Sequence, residues 1–289
     1  MRLNTPVPAS SPPLRRIALV VNRSKPGAAA LAAELAKIAK SKKTAVTMTD
    51  AFPIPAGFLK NQDACCVLGG DGTILSVVGE AVATQVPVFG INQGKLGFLA
   101  TIPVREAKAI FTRLLAGDYH LARRTVLRAR AADGREALAL NDIVLKQPGL
   151  SRLISLQVFS DGKLVNEYHA DGLIIATPTG STAYNLSAGG PLIHPHAQVL
   201  ALTPICPHTL SNRAVIFSGD TRLEVRGIEP GLQPVVTRDG QPCFEAGRVL
   251  PLNVSLDKRT LALVQPPGHS HFDILRGKLK WGEEPRVSE

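Results

Sequence analysis

Over the first part of the chain, short continuous apolar runs alternate with segments whose apolar residues recur every three or four positions. Arg16 to Val21, Ala45 to Met48, Ala64-Cys65-Cys66-Val67-Leu68 and Val86 to Ile91 are runs of the first kind, which is how strands buried on both faces read. Between them, Ala28 to Ser41 carries Leu31, Leu35 and Ile38 at helical spacing, and Arg105 to Ala116 carries Ala107, Ile110 and Leu114 on one face. Thr73 to Val78 reads as the start of a further helix. This alternation predicts an α/β N-terminal domain, a parallel sheet with flanking helices. Ligands of such sheets sit at the carboxyl ends of strands.

The pattern changes near Tyr119. From Leu121 to Val264, short segments rich in valine, isoleucine and leucine are separated by Ala132-Asp133-Gly134, Ser160-Asp161-Gly162, Ser218-Gly219-Asp220 and Arg238-Asp239-Gly240. Those turns between apolar runs predict an all-β, sandwich-like or hairpin-built C-terminal domain. Phe272 to Trp281 mixes apolar and basic residues and reads as a closing segment, strand or helix. The expected division is an α/β domain over 1–118, a β-rich domain over 119–268 and a C-terminal segment over 269–289.

Composition narrows the function classes. The chain has 289 residues and 45% apolar content, enough for two cores, and no apolar run approaches the roughly 18 residues of a membrane span. The first apolar run, Ile17 to Val21, is too short for a signal-peptide core, so a cytoplasmic protein is expected, with no membrane partner. Cys65, Cys66, Cys206 and Cys243 lack the spacing of a zinc site or a disulfide framework and read as reduced thiols. His194-Pro-His196 and His269-Ser-His271 have no carboxylate or thiol cluster beside them and read as surface loops, so no metal ligand is assigned. A net charge of +10 favours polyanionic partners. Arginines cluster at 123, 124, 128 and 130, but only 4% of residues are aromatic and no helix-turn-helix or zinc signature occurs, so small phosphorylated ligands are preferred to nucleic acid.

Two segments carry candidate chemistry. Leu68-Gly69-Gly70-Asp71-Gly72-Thr73 places one carboxylate in a glycine-rich turn after a buried strand. Glycines let the backbone approach a phosphate or ribose, and a carboxylate there needs a task such as accepting a proton or holding a metal, although Gly-Asp-Gly is also ordinary turn chemistry. The second is Thr177-Pro178-Thr179-Gly180-Ser181-Thr182-Ala183-Tyr184-Asn185-Leu186-Ser187-Ala188-Gly189-Gly190-Pro191, after Ala170-Asp171-Gly172 and a strand. Its hydroxyls and backbone N–H groups suit ribose and phosphate and Tyr184 offers a stacking face, while a capped loop entering a helix explains it equally well. Asn141-Asp142 adds an amide and a carboxylate suited to a ribose diol or an adenine edge, or else forms a strand-edge turn. A dinucleotide fingerprint of the Gly-x-Gly-x-x-Gly kind is absent. Gly90-Ile91-Asn92-Gln93-Gly94-Lys95-Leu96 falls one residue short of a Walker A loop and lacks its hydroxyl.

Taken together, these blocks resemble the bacterial NAD kinase family. Gly69 to Thr73, Gly90 to Leu99, Leu140-Asn141-Asp142, Ala170-Asp171-Gly172 with Thr177 to Pro191, Thr203 to His208, Asp239-Gly240-Gln241, and Leu275-Arg276 with Lys278-Leu279 and Trp281-Gly282 occur in the family's order. The first block is shared with diacylglycerol kinases and 6-phosphofructokinases; the block around Tyr184 is far more specific. The resemblance implies transfer of the γ-phosphoryl of ATP, with a divalent metal such as Mg2+, to the 2′-hydroxyl of the adenosine ribose of NAD. It implies Asp71 as general base, Gly72 against the dinucleotide phosphates, and Asn141 and Asp142 on the adenosine. Asp171 would lie at the nicotinamide side, and Thr182, Ala183, Tyr184, Asn185, Leu186 and Ser187 would wrap the ligand, with Arg152, His169 and Gln241 as further contacts. It also implies a C-terminal tail returning to the first domain and a homodimer or homotetramer. Asp142 stands where many members carry glutamate, His169 where arginine is frequent, and Ala214 where proline often follows the arginine. A lipid or sugar kinase sharing only the Asp71 block, or an inactive dinucleotide-binding regulator, are the alternatives.

Overall fold

The computed structural model describes residues 11–94, 97–147, 149, 153–209, 211–244 and 247–281. They form two compact units: one runs to Ala122 and resumes at Ala262, and the other spans Arg123–Leu261.

The first unit is built on a parallel sheet. Ala45–Thr49, Arg16–Val21, Ala64–Gly69 and Val88–Asn92 lie side by side in that order, and the end of the long strand Leu252–Gln265 joins through Leu263 opposite Val88. Every residue of Ala64–Gly69 and Val88–Asn92 is buried, as a two-sided sheet requires. Burial pushes the Cys65 thiol up to about 12 and Cys66 well above its usual range, so both are packing residues without thiolate reactivity. The helix Ala28–Ser41 buries Leu31, Leu35 and Ala39 against this sheet, and Ala107–Leu115 buries Phe111 and Leu114 in the same core. Ile38 and Ile110, expected on the inner faces, are only partly buried, because Ala39 and Phe111 take the deepest positions.

Two local expectations change. The helix expected from Thr73 starts at Asp71, stops at Leu75 and resumes as Val78–Thr84. At the break, the Val77 N–H donates three residues back to the Ile74 carbonyl (3.1 Å) and the Ser76 hydroxyl donates to the Thr73 carbonyl (2.7 Å), which tightens the turn. The closing segment is a helix, His271–Leu279, entered at Ser270, whose hydroxyl oxygen accepts the Asp273 N–H, and it buries Ile274 and Leu275. Such a cap is worth about 1 kcal/mol.

In the second unit two antiparallel sheets form a sandwich. One has the order Val215–Ser218, Val199–Ile205, Gly172–Ala176, Asp142–Lys146, Val235–Arg238, Gln241–Cys243. The other places Lys163–Ala170, Ile154–Ser160, Leu223–Gly227 and the start of Leu252–Gln265 side by side, with His120–Arg130 and Glu136–Ala139 beyond. Ile143, Leu145, Leu173, Ile175, Leu200 and Leu202 of the first sheet pack on Leu127, Leu156, Val158, Leu223, Val225 and Leu252 of the second. Each such side chain contributes about 1.5–3 kcal/mol through burial. The alternate residues Val144, Ile174, Ala176, Ala201 and Ile205 point to the other face, where Tyr184, Ala188 and Ile193 cover them. The hydroxyl-rich segment therefore lies on the outer face of this sheet.

The two Asp-Gly hairpins have the positive φ pairs that two-residue turns demand, 48° and 82° at Asp161 and Gly162, and 50° and 76° at Asp239 and Gly240. Two arginines of the basic cluster are used inside this unit. Arg124 is buried, and Arg128 donates through Nε to the buried Asp257 (2.8 Å), which also accepts the Arg259 backbone N–H (2.8 Å). Burial alone raises the Asp257 carboxyl, but the hydrogen bonds from Arg259 and Arg128 outweigh it and hold the group at about 2.

Candidate active site

The sequence-predicted residues fall into two groups, one in each unit. In the first, the Gly69–Gly70 turn at the carboxyl end of Ala64–Gly69 opens onto a pocket of about 270 Å³ whose lining includes Lys25, Gly70, Asp71, Gln93, Gly97 and Lys278. Asp71 begins the short helix and turns its carboxylate toward the segment 97–100. The N–H of Phe98 donates to Oδ2 (2.8 Å), and those of Leu99 and Ala100 donate to Oδ1 (3.1 and 2.9 Å). A carboxylate has about four acceptor positions. Oδ1 has two filled and Oδ2 one, so the open lone pair belongs to Oδ2.

The neighbours of Asp71 are there to hold that loop. Asn92 spans it, accepting the Gly94 N–H at Oδ1 (2.7 Å) and donating from Nδ2 to the Ala100 carbonyl (3.3 Å). Asn22, after the first strand, donates from Nδ2 to the Thr73 hydroxyl (3.1 Å) and so ties two strand ends together. The Gln93 side chain enters the same lining with its Nε2 buried and without a hydrogen-bond partner among the described residues. Lys278 places its Nζ 5.4 Å from the ring centre of Phe98, a cation–π contact. Gly72 is exposed, with open space where a side chain would be.

Lys25, Lys278 and the role of Gln93 were not singled out by sequence reasoning. The signal for Lys25 is its place just after a strand's carboxyl end; Lys278 reads as one of a basic cluster with Arg276 and Lys280 and as part of a family block. Lys95 and Leu96 lie outside the described residues. Among the described residues no group of three or more His, Cys, Asp or Glu comes together. With Asp71 the only carboxylate among the described residues of the lining, and three N–H donors already on it, these residues do not build a cage for a divalent cation.

In the second unit, Asn141 and Asp142 stand at one end of the Asp142–Lys146 strand. The Asp239 carboxylate of the neighbouring hairpin accepts the N–H groups of Leu140 (2.9 Å), Asn141 (2.6 Å) and Asp142 (3.2 Å). Those donors suit a charged Asp239, although burial raises its carboxyl. Burial, and then the Asp239 charge beside it, push the Asp142 carboxyl up to about 7. On the other side Thr177 donates its backbone N–H to the Asn141 carbonyl (2.8 Å) and its hydroxyl to the Leu140 carbonyl (2.5 Å). Gly180 lies so close that a Cβ would be 2.0 Å from the Asn141 carbonyl oxygen, so this approach requires glycine.

The covering segment forms a 3-10 turn, Thr179–Thr182, and a one-turn helix, Tyr184–Ser187. Thr182, Ala183, Tyr184 and Leu186 are half-buried and Ser187 is exposed, so all five can meet a ligand. Asn185 is wholly buried. Its Nδ2 donates to the carbonyls of Ser181 (3.3 Å) and Pro191 (3.1 Å), and its Oδ1 accepts the Thr203 hydroxyl (2.7 Å). This makes Asn185 a scaffold of the loop. The Tyr184 ring carries Lys146 Nζ 4.6 Å from its centre.

Asp171, exposed, belongs to the other end of the sheet, since Gly172 pairs with Lys146 while Ala176 pairs with Asp142; His169, also exposed and two residues before it, lies on the Lys163–Ala170 strand of the other sheet. The two ends are four strand steps apart, roughly 14 Å. His169 shares a hydrogen bond with the Ser155 hydroxyl through Nδ1 (2.9 Å). Gln241 is exposed and pairs with Arg238 next to the Asp239 turn, at the Asp142 end. Arg152 lies outside the described residues.

Comparison with known proteins covers both units. The family model described as ATP-NAD kinase N-terminal domain matches residues 54–119, and the one described as ATP-NAD kinase C-terminal domain matches residues 140–263. The NAD kinase of Geotalea daltonii is 42% identical over 228 residues, 78% of this chain and 80% of its own length. That of Oleidesulfovibrio alaskensis is 39% identical over 273 residues, 92% of this chain and 93% of its own. Among solved structures, yeast NADH kinase complexed with NADH superposes with a TM-score of 0.85 at 24% identity, covering 99% of this chain and 95% of that one. An NAD kinase from Archaeoglobus fulgidus in complex with ATP does so with a TM-score of 0.77 at 24% identity, covering 92% and 98%. At those identities the two structures speak for the fold.

Proposed function

The chain belongs to the NAD kinase family, and from that premise we propose that it transfers the γ-phosphoryl group of ATP to the 2′-hydroxyl of the adenosine ribose of NAD, giving NADP and ADP. The observation that carries the mechanism is the state of Asp71. Three backbone N–H groups hold it as an oriented carboxylate while Oδ2 keeps one lone pair open. In this reading the 2′-hydroxyl proton passes to Oδ2 as the 2′-oxygen bonds to the γ-phosphorus, and the bond from that phosphorus to the β–γ bridging oxygen breaks. A base so positioned contributes about 10²–10⁴ in rate.

Asn141 and Asp142 take the adenosine and Asp171 with His169 the nicotinamide end, a reading supported by their roughly 14 Å separation along the Asp142–Lys146 strand. Thr182, Ala183, Tyr184, Leu186 and Ser187 contact the dinucleotide between those ends, Gly72 its phosphates, and Gln241 the adenosine side; Arg152 is a further contact by family position. Lys146 leaves the Tyr184 face when a base stacks there. The Mg2+ implied by the family would come with the donor phosphates, and no step here depends on it. The enzyme acts in the cytoplasm, a reading supported by free cysteines, and as a homo-oligomer, supported by the exposed Leu164 and Ile216 on edge strands. No helix among the described residues is long and apolar enough to cross a membrane.

A kinase sharing only the Asp71 block is disfavoured by the match over 140–263. An inactive regulator is separated from the enzyme by assay. Purified protein with ATP, Mg2+ and NAD yields NADP, read with an NADP-specific dehydrogenase, and Asp71→Asn lowers turnover at least about a hundredfold while still binding NAD. Undiminished turnover in that variant would remove Asp71 as the base.

A further inference from the structure

We infer that Asn92, at the carboxyl end of the Val88–Asn92 strand, is a positioning residue for the base Asp71 and acts through Ala100. This deepens the kinase reading above and rests on it. Ala100 is wholly buried and is held on three sides. Its N–H donates to Asp71 Oδ1 (2.9 Å), and its carbonyl accepts from Asn92 Nδ2 (3.3 Å) and from the Gly97 N–H (3.2 Å). Its side chain lies against Gly90, where an added Cβ would stand 2.9 Å from both the Cα and the Cβ of Ala100. Gly90 and Asn92 are two residues apart on one strand. That strand therefore fixes Ala100 by its methyl and by its carbonyl, and the orientation of Asp71 follows from both.

The same strand end also carries the turn that leads to Asp71. Asn92 lies opposite Gly69 in register, and the Gln93 N–H donates to the Gly69 carbonyl (2.9 Å). Base and donors are thus tied to one strand end, which keeps a reacting group within the fraction of an ångström that turnover demands. An amide fits this task because it accepts and donates at once. Oδ1 takes the Gly94 N–H (2.7 Å) while Nδ2 reaches the Ala100 carbonyl. An aspartate keeps only the first of these bonds and sets a charge against that carbonyl. Asn92 is buried, so water does not replace a bond that is lost.

A double-mutant cycle on the full chain tests this, read as kcat and KM for NADP formation, with calorimetric NAD binding to show that each variant is folded. Asn92→Ala and Asn92→Asp each lower kcat about tenfold or more, while KM for NAD and for ATP stay within about threefold. In the Asp71→Asn background, where residual turnover is followed by NADP cycling, Asn92→Ala lowers kcat less than about twofold, because the group it orients is gone. Ala100→Gly removes only the methyl that meets Gly90 and is carried through the same cycle, so that it decides the matter should an Asn92 variant fail to bind NAD. An equal loss in both backgrounds overturns the proposal and leaves Asn92 a scaffold. So does a rise in KM for ATP at unchanged kcat, which makes Asn92 a direct contact of the donor. Full turnover by Asn92→Asp overturns it as well, since the Gly94 bond would then suffice. The base reading is separated by the single variant: Asp71→Asn at full turnover removes the base itself, whereas a disabled Asp71→Asn with additive Asn92 losses removes only the positioning.

Discussion

Gly97 faces Asp71 so closely that a Cβ there would lie 1.9 Å from Oδ1 and 2.6 Å from the carboxyl carbon. An alanine must displace either the carboxylate or the loop that supplies its three N–H donors. Gly97→Ala is expected to lower kcat for NADP formation about a hundredfold or more while KM for NAD changes only a few-fold, since the proposed dinucleotide contacts lie mostly in the other unit. Steady-state kinetics check this. A variant with near wild-type kcat would show that the orientation of Asp71 is not what turnover depends on.

Asp142 and Asp239 set a stability window on the alkaline side. Asp239 has three backbone donors, so Asp142 is the group that carries the proton up to about pH 7. Unfolded, Asp142 titrates near the ordinary aspartate value of 3.8. Between those values the folded chain binds a proton that the unfolded chain does not, so stability falls as pH rises from about 4 to 7 and is flat above. The ceiling is on the order of 4 kcal/mol, about three pH units at 1.36 kcal/mol each. Asp142→Asn keeps the shape without the charge and is expected to flatten Tm between pH 5 and 8 and to raise it at pH 8. Parallel Tm curves for variant and wild type would sink the assignment.

Asp257 works with the opposite sign. Its folded value of about 2 lies below the usual carboxylate range, so its contribution is present above about pH 4 and is lost as pH falls toward 2. Asp257→Asn weakens the bonds from Arg128 and Arg259, and because both arginines are partly exposed and can rehydrate, the cost is about 1–3 kcal/mol at pH 7. Thermal melts should show the variant's deficit shrinking from pH 4 to pH 2.5. A constant deficit would assign the loss to packing.

How much of this was readable in the sequence depended on whether a residue's task is local. Ala64–Gly69 and the other buried strands declare themselves because burial on both faces demands an unbroken apolar run. The Asp239-Gly240 turn is legible because few residues tolerate paired positive φ. That Asp239 also anchors Leu140, Asn141 and Asp142 is not legible, since those residues are about a hundred positions away. Asn185 reads like its neighbours as a ligand contact, and only tertiary packing reveals that its amide is spent on the loop. Lys25 and Lys278 look like any solvated lysine until the fold brings them to one pocket. The helix break at Ser76 was missed because Thr73 to Val78 is apolar enough to read as continuous.

The task given to Asn185 makes a last prediction that separates scaffold from ligand contact. Removing its amide by Asn185→Ala orphans the Ser181 and Pro191 carbonyls and the Thr203 hydroxyl at once, at about 1–3 kcal/mol for each group that water cannot reach. Thr203→Val removes only the third of these bonds, leaving the two carbonyls satisfied and the Asn185 Oδ1 as the single orphan, so its cost is about 1–3 kcal/mol in all. If Asn185 is scaffold, the two variants lower Tm in that order, and KM for NAD rises in the same order, by about tenfold or more for Asn185→Ala, as the loop loses its shape. The double variant then costs less than the sum of the singles, because the Thr203 bond is counted in both. If Asn185 instead touches the dinucleotide directly, Asn185→Ala raises KM with little change in Tm, and Thr203→Val leaves KM alone.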